Sequence, residues 1–255
     1  MEFELKDKVA LVTGTGSQVG MGKAVALTLA KEGCHIISAD IDLAGAEKTA
    51  EEVRKLNRQA AAFRVDITDC DQINRMVGEA LKKFGKIDIF VGVAGASTFS
   101  GPLIEAKREA LDKDVNLNLM GTIYCTRAVL PGMMERKYGK IVLLSSLAGL
   151  LGAPGATAYS AAKAGILGFC RALAREAGHL GINVNSIAPG VVLTNFYGGE
   201  GAPLLPPQLR NTADNCTGKV VTIQDIANMA AFLVSDVSSN ITGQCFVIDG
   251  GIVMN

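Results

Sequence analysis

The sequence predicts a doubly wound α/β fold: a mostly parallel, seven-stranded sheet covered by helices on both faces. Three observations carry this. Short runs that are apolar throughout recur along the chain, as at 9–12 (VALV) and 141–144 (IVLL). A strand that is hydrophobic on both faces is one buried on both faces, the situation of a parallel sheet. Between the runs lie segments whose apolar residues recur at helical spacing. The alternation continues through 255 residues with no linker, repeat or shift in composition, which fits a single domain, 1–255.

The elements follow in order. Strand 8–13 leads into a helix over 20–32, with Gly33 as its stop. Strand 34–39 precedes a helix over 42–57 whose buried stripe is Ala46, Ala50, Val53 and Leu56. Strand 60–65 is followed by helix 70–84, closed by Gly85, and by strand 87–94. A long helical stretch covers 104–137, and Pro131-Gly132 is expected to break or kink it. Strand 140–145, helix 159–177 and strand 182–187 come next, then an irregular excursion at 195–218 rich in Gly, Pro and Asn. Helix 222–235 and strand 244–248 complete the series.

Composition excludes several functions. Lys plus Arg and Asp plus Glu are both 25, so the formal net charge is zero. That argues against a nucleic-acid footprint and a polybasic membrane patch. No apolar segment is long enough to span a bilayer, so the positive mean hydropathy of +0.28 reflects buried strands. The N-terminus MEFELKDK carries acids and does not read as a secretory signal. Six cysteines, none in a CxxC pair, and two histidines speak against a metal cluster. They read as buried, reduced thiols of a cytoplasmic protein.

Ligand crevices of such sheets lie beyond the carboxyl ends of the strands. The first strand runs straight into Gly14-Thr15-Gly16-Ser17-Gln18-Val19-Gly20-Met21-Gly22, which opens a helix. Glycines allow a tight turn and close approach to a pyrophosphate, and the helix N-terminus offers free N–H groups to it. The strict GxGxxG spacing fails, because Val19 occupies the third glycine position; the strand–loop–helix context supports a Rossmann-type dinucleotide site. Asp40 ends the second strand with Ala39 before it and no Lys or Arg beside it. A carboxylate there accepts from both ribose hydroxyls of NAD and repels the 2′-phosphate of NADP. NAD is therefore the expected cofactor. Asp40 could also simply cap the following helix.

Tyr159 and Lys163 are four apart and project from one helical face. A phenol ordinarily titrates near pH 10, and a neighbouring ammonium favours the phenolate, which would let Tyr159 exchange a proton with an alcohol or carbonyl oxygen. Ser146 directly follows the fifth strand and could bond the same oxygen; Asn118 lies in the preceding helical stretch. Each also has an ordinary reading, as a turn, cap or helix-surface residue.

Asn118 in NLMG, Ser146 in LLSS, Tyr159 in YSAAK, and Lys163 are together similar to the catalytic tetrad of the short-chain dehydrogenase/reductase family. Asp66-Ile67, Ala94-Gly95, the segment PGVVLT at 189–194 and IDGG at 248–251 extend the resemblance over essentially the whole chain. It implies that Tyr159 is the acid/base and that Lys163 lowers its pKa and binds the nicotinamide ribose. It further implies that Ser146 orients the substrate oxygen and that Asn118 holds a relay water. Gly14, Gln18, Gly20, Met21 and Gly22 would face the pyrophosphate, Asp66 and Ile67 the adenine, Ala94 and Gly95 the ribose path, and Val192 and Thr194 the carboxamide. A homotetramer packed through the central helices and last strand is also implied. The sequence departs from the family in two places: the Gly-rich loop is two residues longer than TGxxxGxG, and GVAG at 92–95 replaces NNAG.

The wall 147–158 between Ser146 and Tyr159 carries no charge, which suits a hydrophobic substrate. The excursion 195–218 has the composition of a lid. The expected function is thus NAD-dependent interconversion of a secondary alcohol and a ketone, with a small hydrophobic substrate. One alternative is a 3-hydroxyacyl/3-oxoacyl thioester substrate. Another, of a different class, is a non-catalytic NAD-binding regulator.

Overall fold

The seven apolar runs pair side by side because each must bury both its faces and satisfy its backbone groups. The computed structural model describes residues 3–192, 194 and 215–254. Its strands are β1 Val9–Thr13, β2 His35–Asp40, β3 Ala60–Arg64, β4 Ile89–Gly92, β5 Gly139–Leu144, β6 Ile182–Pro189 and β7 Cys245–Ile248. They form one sheet in the order β3-β2-β1-β4-β5-β6-β7, and all six pairings are parallel. The chain winds outward from β1 to β3, then restarts on the other side of β1 and winds outward to β7. The strand order therefore reverses between β1 and β4, which places a crevice at their carboxyl ends.

Helices cover both faces. They are α1 Met21–Lys31, α2 Leu43–Lys55, α3 Cys70–Phe84, α4 Arg108–Val115, α5 Gly121–Arg136, α6 Ala148–Leu151, α7 Thr157–Ala177 and α8 Ile223–Leu233. Successive strand residues point to opposite faces. Val12 and Val142 accordingly join α1, α2 and α8 in one core, while Leu11 and Ile141 join α3, α5 and α7 in the other.

Several boundaries differ from the sequence reading. The stretch 104–137 is not one helix. A 3-10 turn, Leu103–Glu105, precedes α4, and a π-helix, Asn116–Met120, links α4 to α5. Pro131 lies inside α5 without ending it. Pro131 and Arg127, whose carbonyl loses its amide partner, are both exposed, so water can serve that carbonyl. Strand β4 stops at Gly92 because the next two amides, Val93 and Ala94, donate to the Thr13 hydroxyl (3.2 and 3.3 Å). Leu56 falls beyond the end of α2 and is exposed, the chain turning away at Asn57 with φ +58°. Of the thiols expected to be buried, Cys70 and Cys216 are exposed and Cys245 is intermediate. The excursion expected at 195–218 lies, through residue 214, outside the described residues. Among the described residues no helix is long and apolar enough to cross a membrane, and no cluster of His, Cys, Asp and Glu could hold a metal.

Phe90, at the centre of β4, is completely buried in the core beneath α3, α5 and α7. Phe90→Ala leaves a cavity that surrounding strands cannot close, and is expected to destabilise the fold by about 3–5 kcal/mol. Chemical denaturation at fixed protein concentration would measure it.

Candidate active site

The crevice begins where β1 ends. Gly14 turns out of the strand with φ +76°, and a Cβ there would stand 2.8 Å from the Ala94 amide nitrogen. A Cβ on Gly22 would meet the Gly14 carbonyl oxygen at 2.1 Å. Only glycine permits these approaches, so the loop, the start of α1 and the end of β4 lie against one another. The resulting cleft holds about 540 Å³, within the range of small-molecule sites. No side chain caps α1, whose N-cap is Gly20, and Gly20, Met21 and Gly22 line the cleft. Ser17 lines it too, and among the described residues its Oγ is the buried side-chain polar atom without a hydrogen-bond partner. Uncapped amides at a helix N-terminus, a glycine cradle and an unmatched hydroxyl together fit the pyrophosphate of a dinucleotide.

The lengthened part of the loop is packed rather than open. Thr15 is fully buried, its hydroxyl 2.8 Å from that of Ser38, and its carbonyl accepts from the Thr49 hydroxyl (2.8 Å). The Gly16 amide donates to Asp40 Oδ2 (2.8 Å). Gln18, expected to face the pyrophosphate, points elsewhere: its Nε2 donates to the Gly16 and Gly45 carbonyls (2.9 and 3.0 Å), and its Oε1 accepts from Lys23 Nζ (2.9 Å). The insertion turns this side chain onto α2.

At the far end of the cleft stand Asp40, Asp66 and Ile67. Asp40 makes no ion pair among the described residues. Asp66 Oδ1 accepts from both the amide and hydroxyl of Thr68 (2.9 and 2.7 Å). The turn holding them is fixed by Asp69, which caps α3 by accepting from the Asp71 and Gln72 amides. The Gln72 amide and side chain, with the Asp71 amide, hold the Asp69 carboxyl below its ordinary pKa.

At the near end, the π-helix turns Asn118 inward, fully buried. Its Nδ2 donates to the carbonyls of Ala96 and Asp114 (2.7 and 2.9 Å), and its Oδ1 accepts from the Ala96 amide (3.2 Å). This amide clamp holds the segment after β4 in place. A Cβ on Gly95 would lie 2.6 Å from Asn118 Oδ1 and 3.2 Å from Lys163 Nζ. Lys163 is buried, donates to the Leu144 carbonyl (2.8 Å), and holds its Nζ 5.7 Å from the Tyr159 ring centroid. Burial lowers its pKa to about 8. Helix α6 lies directly on α7: a Cβ on Gly149 would stand 2.7 Å from the Lys163 carbonyl carbon. Ser145 ties the end of β5 to the same helix by donating to the Lys163 carbonyl (2.7 Å). Ser146 follows, its Oγ accepting from the Ala148 amide (3.1 Å).

The structure thus gathers Gly14, Gly20, Met21, Gly22, Asp40, Asp66, Ile67, Ala94, Gly95 and Thr194 around one cleft, with Lys163 and Asn118 packed behind Gly95. Val192 is buried and paired with Val221, outside the cleft lining. Sequence reading missed Ser17, Thr68 and Lys113, which also line it. Ser17 stood in plain view in the Gly-rich loop; nothing in the pattern around Lys113 marks which way that helix faces.

Comparison with known proteins is consistent over the full length. A family model described as enoyl-(acyl carrier protein) reductase matches residues 14–253. The chain is 36% identical over 254 residues to a 3-oxoacyl-(acyl-carrier-protein) reductase, FabG, of Thermotoga maritima, covering 99% of this chain and 100% of that one. It is 38% identical over 247 residues to BbsD of Thauera aromatica, a (2S)-((R)-hydroxy(phenyl)methyl)succinyl-CoA dehydrogenase subunit, covering 97% of each. A crystal structure of a putative short-chain alcohol dehydrogenase from Sinorhizobium meliloti 1021 superposes with a TM-score of 0.90 at 32% identity, over 98% of each chain. The chain belongs to the short-chain dehydrogenase/reductase family of oxidoreductases, which use a nicotinamide cofactor.

Proposed function

We propose that this protein is an NAD-linked enzyme interconverting a secondary alcohol and a ketone, and that the reacting carbon belongs to an acyl thioester. The observation that carries the reaction type is the buried Lys163 ammonium beside Tyr159, at the end of the cleft lined by Gly95. A bound nicotinamide supplies the hydride acceptor for oxidation and the hydride donor for reduction. The chain's own residues handle the proton. The Tyr159 hydroxyl takes it from the carbinol oxygen in oxidation and gives it to the carbonyl oxygen in reduction. Lys163 favours the phenolate by its charge. Ser146 accepts from the Ala148 amide and keeps its hydroxyl proton to donate to the substrate oxygen. Both amide donors of Asn118 are used within the protein and its main-chain carbonyl accepts from the Thr122 hydroxyl (3.2 Å), so a relay water at this residue donates to an acceptor position left on one of its two oxygens.

The choice of NAD rests on Asp40, an acid at the adenosine end with no cation paired to it among the described residues. The choice of a thioester rests on relatives: two near-full-length ones are named for acyl-carrier-protein and CoA substrates. A second reading, a free hydrophobic alcohol, is favoured by the uncharged wall at 147–158.

A panel of 3-oxoacyl-CoA thioesters and free aryl or cyclic ketones, each with NADH and NADPH, tests both choices. NADH is expected to exceed NADPH in kcat/KM by at least about tenfold, and thioesters to exceed free ketones by a similar factor, each about 1.4 kcal/mol. Comparable rates with NADPH overturn the first choice; a preference for free ketones selects the second reading. Tyr159→Phe is expected to lower turnover at least about 100-fold while NADH still binds, whereas a non-catalytic regulator would lose nothing. Lys163 carries its charge below pH of about 8 and loses it above. Ketone reduction needs that charge and a protonated Tyr159, so kcat/KM for reduction is expected to fall as pH rises through about 8. A profile flat across that value would contradict this role.

A further inference from the structure

Two residues of the lengthened loop, Thr15 and Gly16, have a feature that the pyrophosphate site does not require. Both Asp40 oxygens are engaged by backbone: Oδ2 accepts from the Gly16 amide (2.8 Å) and Oδ1 from the Asp42 amide (2.9 Å). The carboxyl group is held in one orientation before any ligand arrives. Each carboxylate oxygen has two acceptor positions, so each keeps one for a further donor. A vicinal diol offers two donors at that spacing; a phosphate offers none and carries like charge.

The loop making this contact is itself tied down from behind. Thr15 is bonded to Ser38 and Thr49. Gln18 bridges the carbonyls of Gly16 and Gly45. A Cβ on Gly45 would lie 2.2 Å from the Gly16 oxygen, so the loop and the first turn of α2 meet backbone to backbone. The three atoms nearest a Cβ on Gly16 all belong to the Asp40 carboxyl group, the closest at 2.7 Å.

We propose that the Thr15–Gly16 segment of the lengthened loop is a specificity element: Gly16 is a positioning residue that acts through Asp40, presetting its carboxylate for the unphosphorylated adenosine ribose. This rests on the NAD reading above and adds a coupling between loop and carboxylate.

A double-mutant cycle on the full-length protein tests it, with dissociation constants for NADH and NADPH read by fluorescence titration. Gly16→Ala pushes the carboxyl group aside and is expected to weaken NADH binding about tenfold, with NADPH changed less than about twofold, so that the discrimination ratio falls. In an Asp40→Ala background the methyl meets no carboxyl group, and the same substitution is expected to change NADH binding less than about twofold. Gln18→Ala, a change on the exposed side of the loop, is expected to act in the same direction more weakly, and stands in if Gly16→Ala does not fold. Equal losses in both backgrounds would mean a merely structural loop and overturn the proposal. Tight NADPH binding by the wild type would instead overturn the NAD reading itself.

Discussion

The close approach of backbone at the carboxyl ends of β1 and β4 is the constraint on which the rest depends. The strand order reverses there, so two halves of the chain must meet without side chains between them. Gly14 stands against the Ala94 amide, and the Thr13 hydroxyl accepts from the two amides that follow β4. Gly22 packs on the Gly14 carbonyl. A side chain on Gly22 would push the N-terminus of α1 off the loop, and one on Gly14 would push away the segment after β4.

That junction joins two differently built regions. On the β2 side, the cleft is polar and fixed largely through backbone amides and hydroxyls: Asp40 by two amides, Asp66 by Thr68, and the loop by Thr15 and Gln18. On the β5 side, it is held by two buried side chains, Asn118 and Lys163. Asn118 clamps the segment after β4, Gly95 packs on Asn118 and Lys163, and Lys163 reaches the last carbonyl of β5. The buried ammonium is costly to desolvate, and the lowering of its pKa to about 8 records that cost. Its charge is thereby kept close to Tyr159 with little water to screen it.

Much of this was legible in the residues. Buried strands announce themselves as continuous apolar runs, and the ends of all seven fall within two residues of their expected places, the largest differences being the shorter β4 and the longer β6. Helix ends marked by a local device were also clear, such as Gly85 with φ +77° closing α3. Less visible were features that depend on which surface a segment meets. The π-helix at Asn116–Met120 has no compositional mark. Pro131 reads as a break, yet sits on the exposed side of α5 where a lost amide is cheaply replaced by water. Leu56 has the right spacing for a buried stripe but comes after the helix has ended.

The sequence alone determined the parallel sheet, the glycine loop after β1, the acid at the end of β2 and the Tyr159–Lys163 pair. Each of these depends on spacing within one element or on its immediate neighbour. Tertiary structure alone decided that Gln18 turns to Gly45 instead of the cleft, that Gly16 bonds Asp40, and that Asn118 spends its amide on Ala96 and Asp114. Those contacts join residues 4 to 27 positions apart through backbone groups, which every residue type carries and no sequence pattern distinguishes.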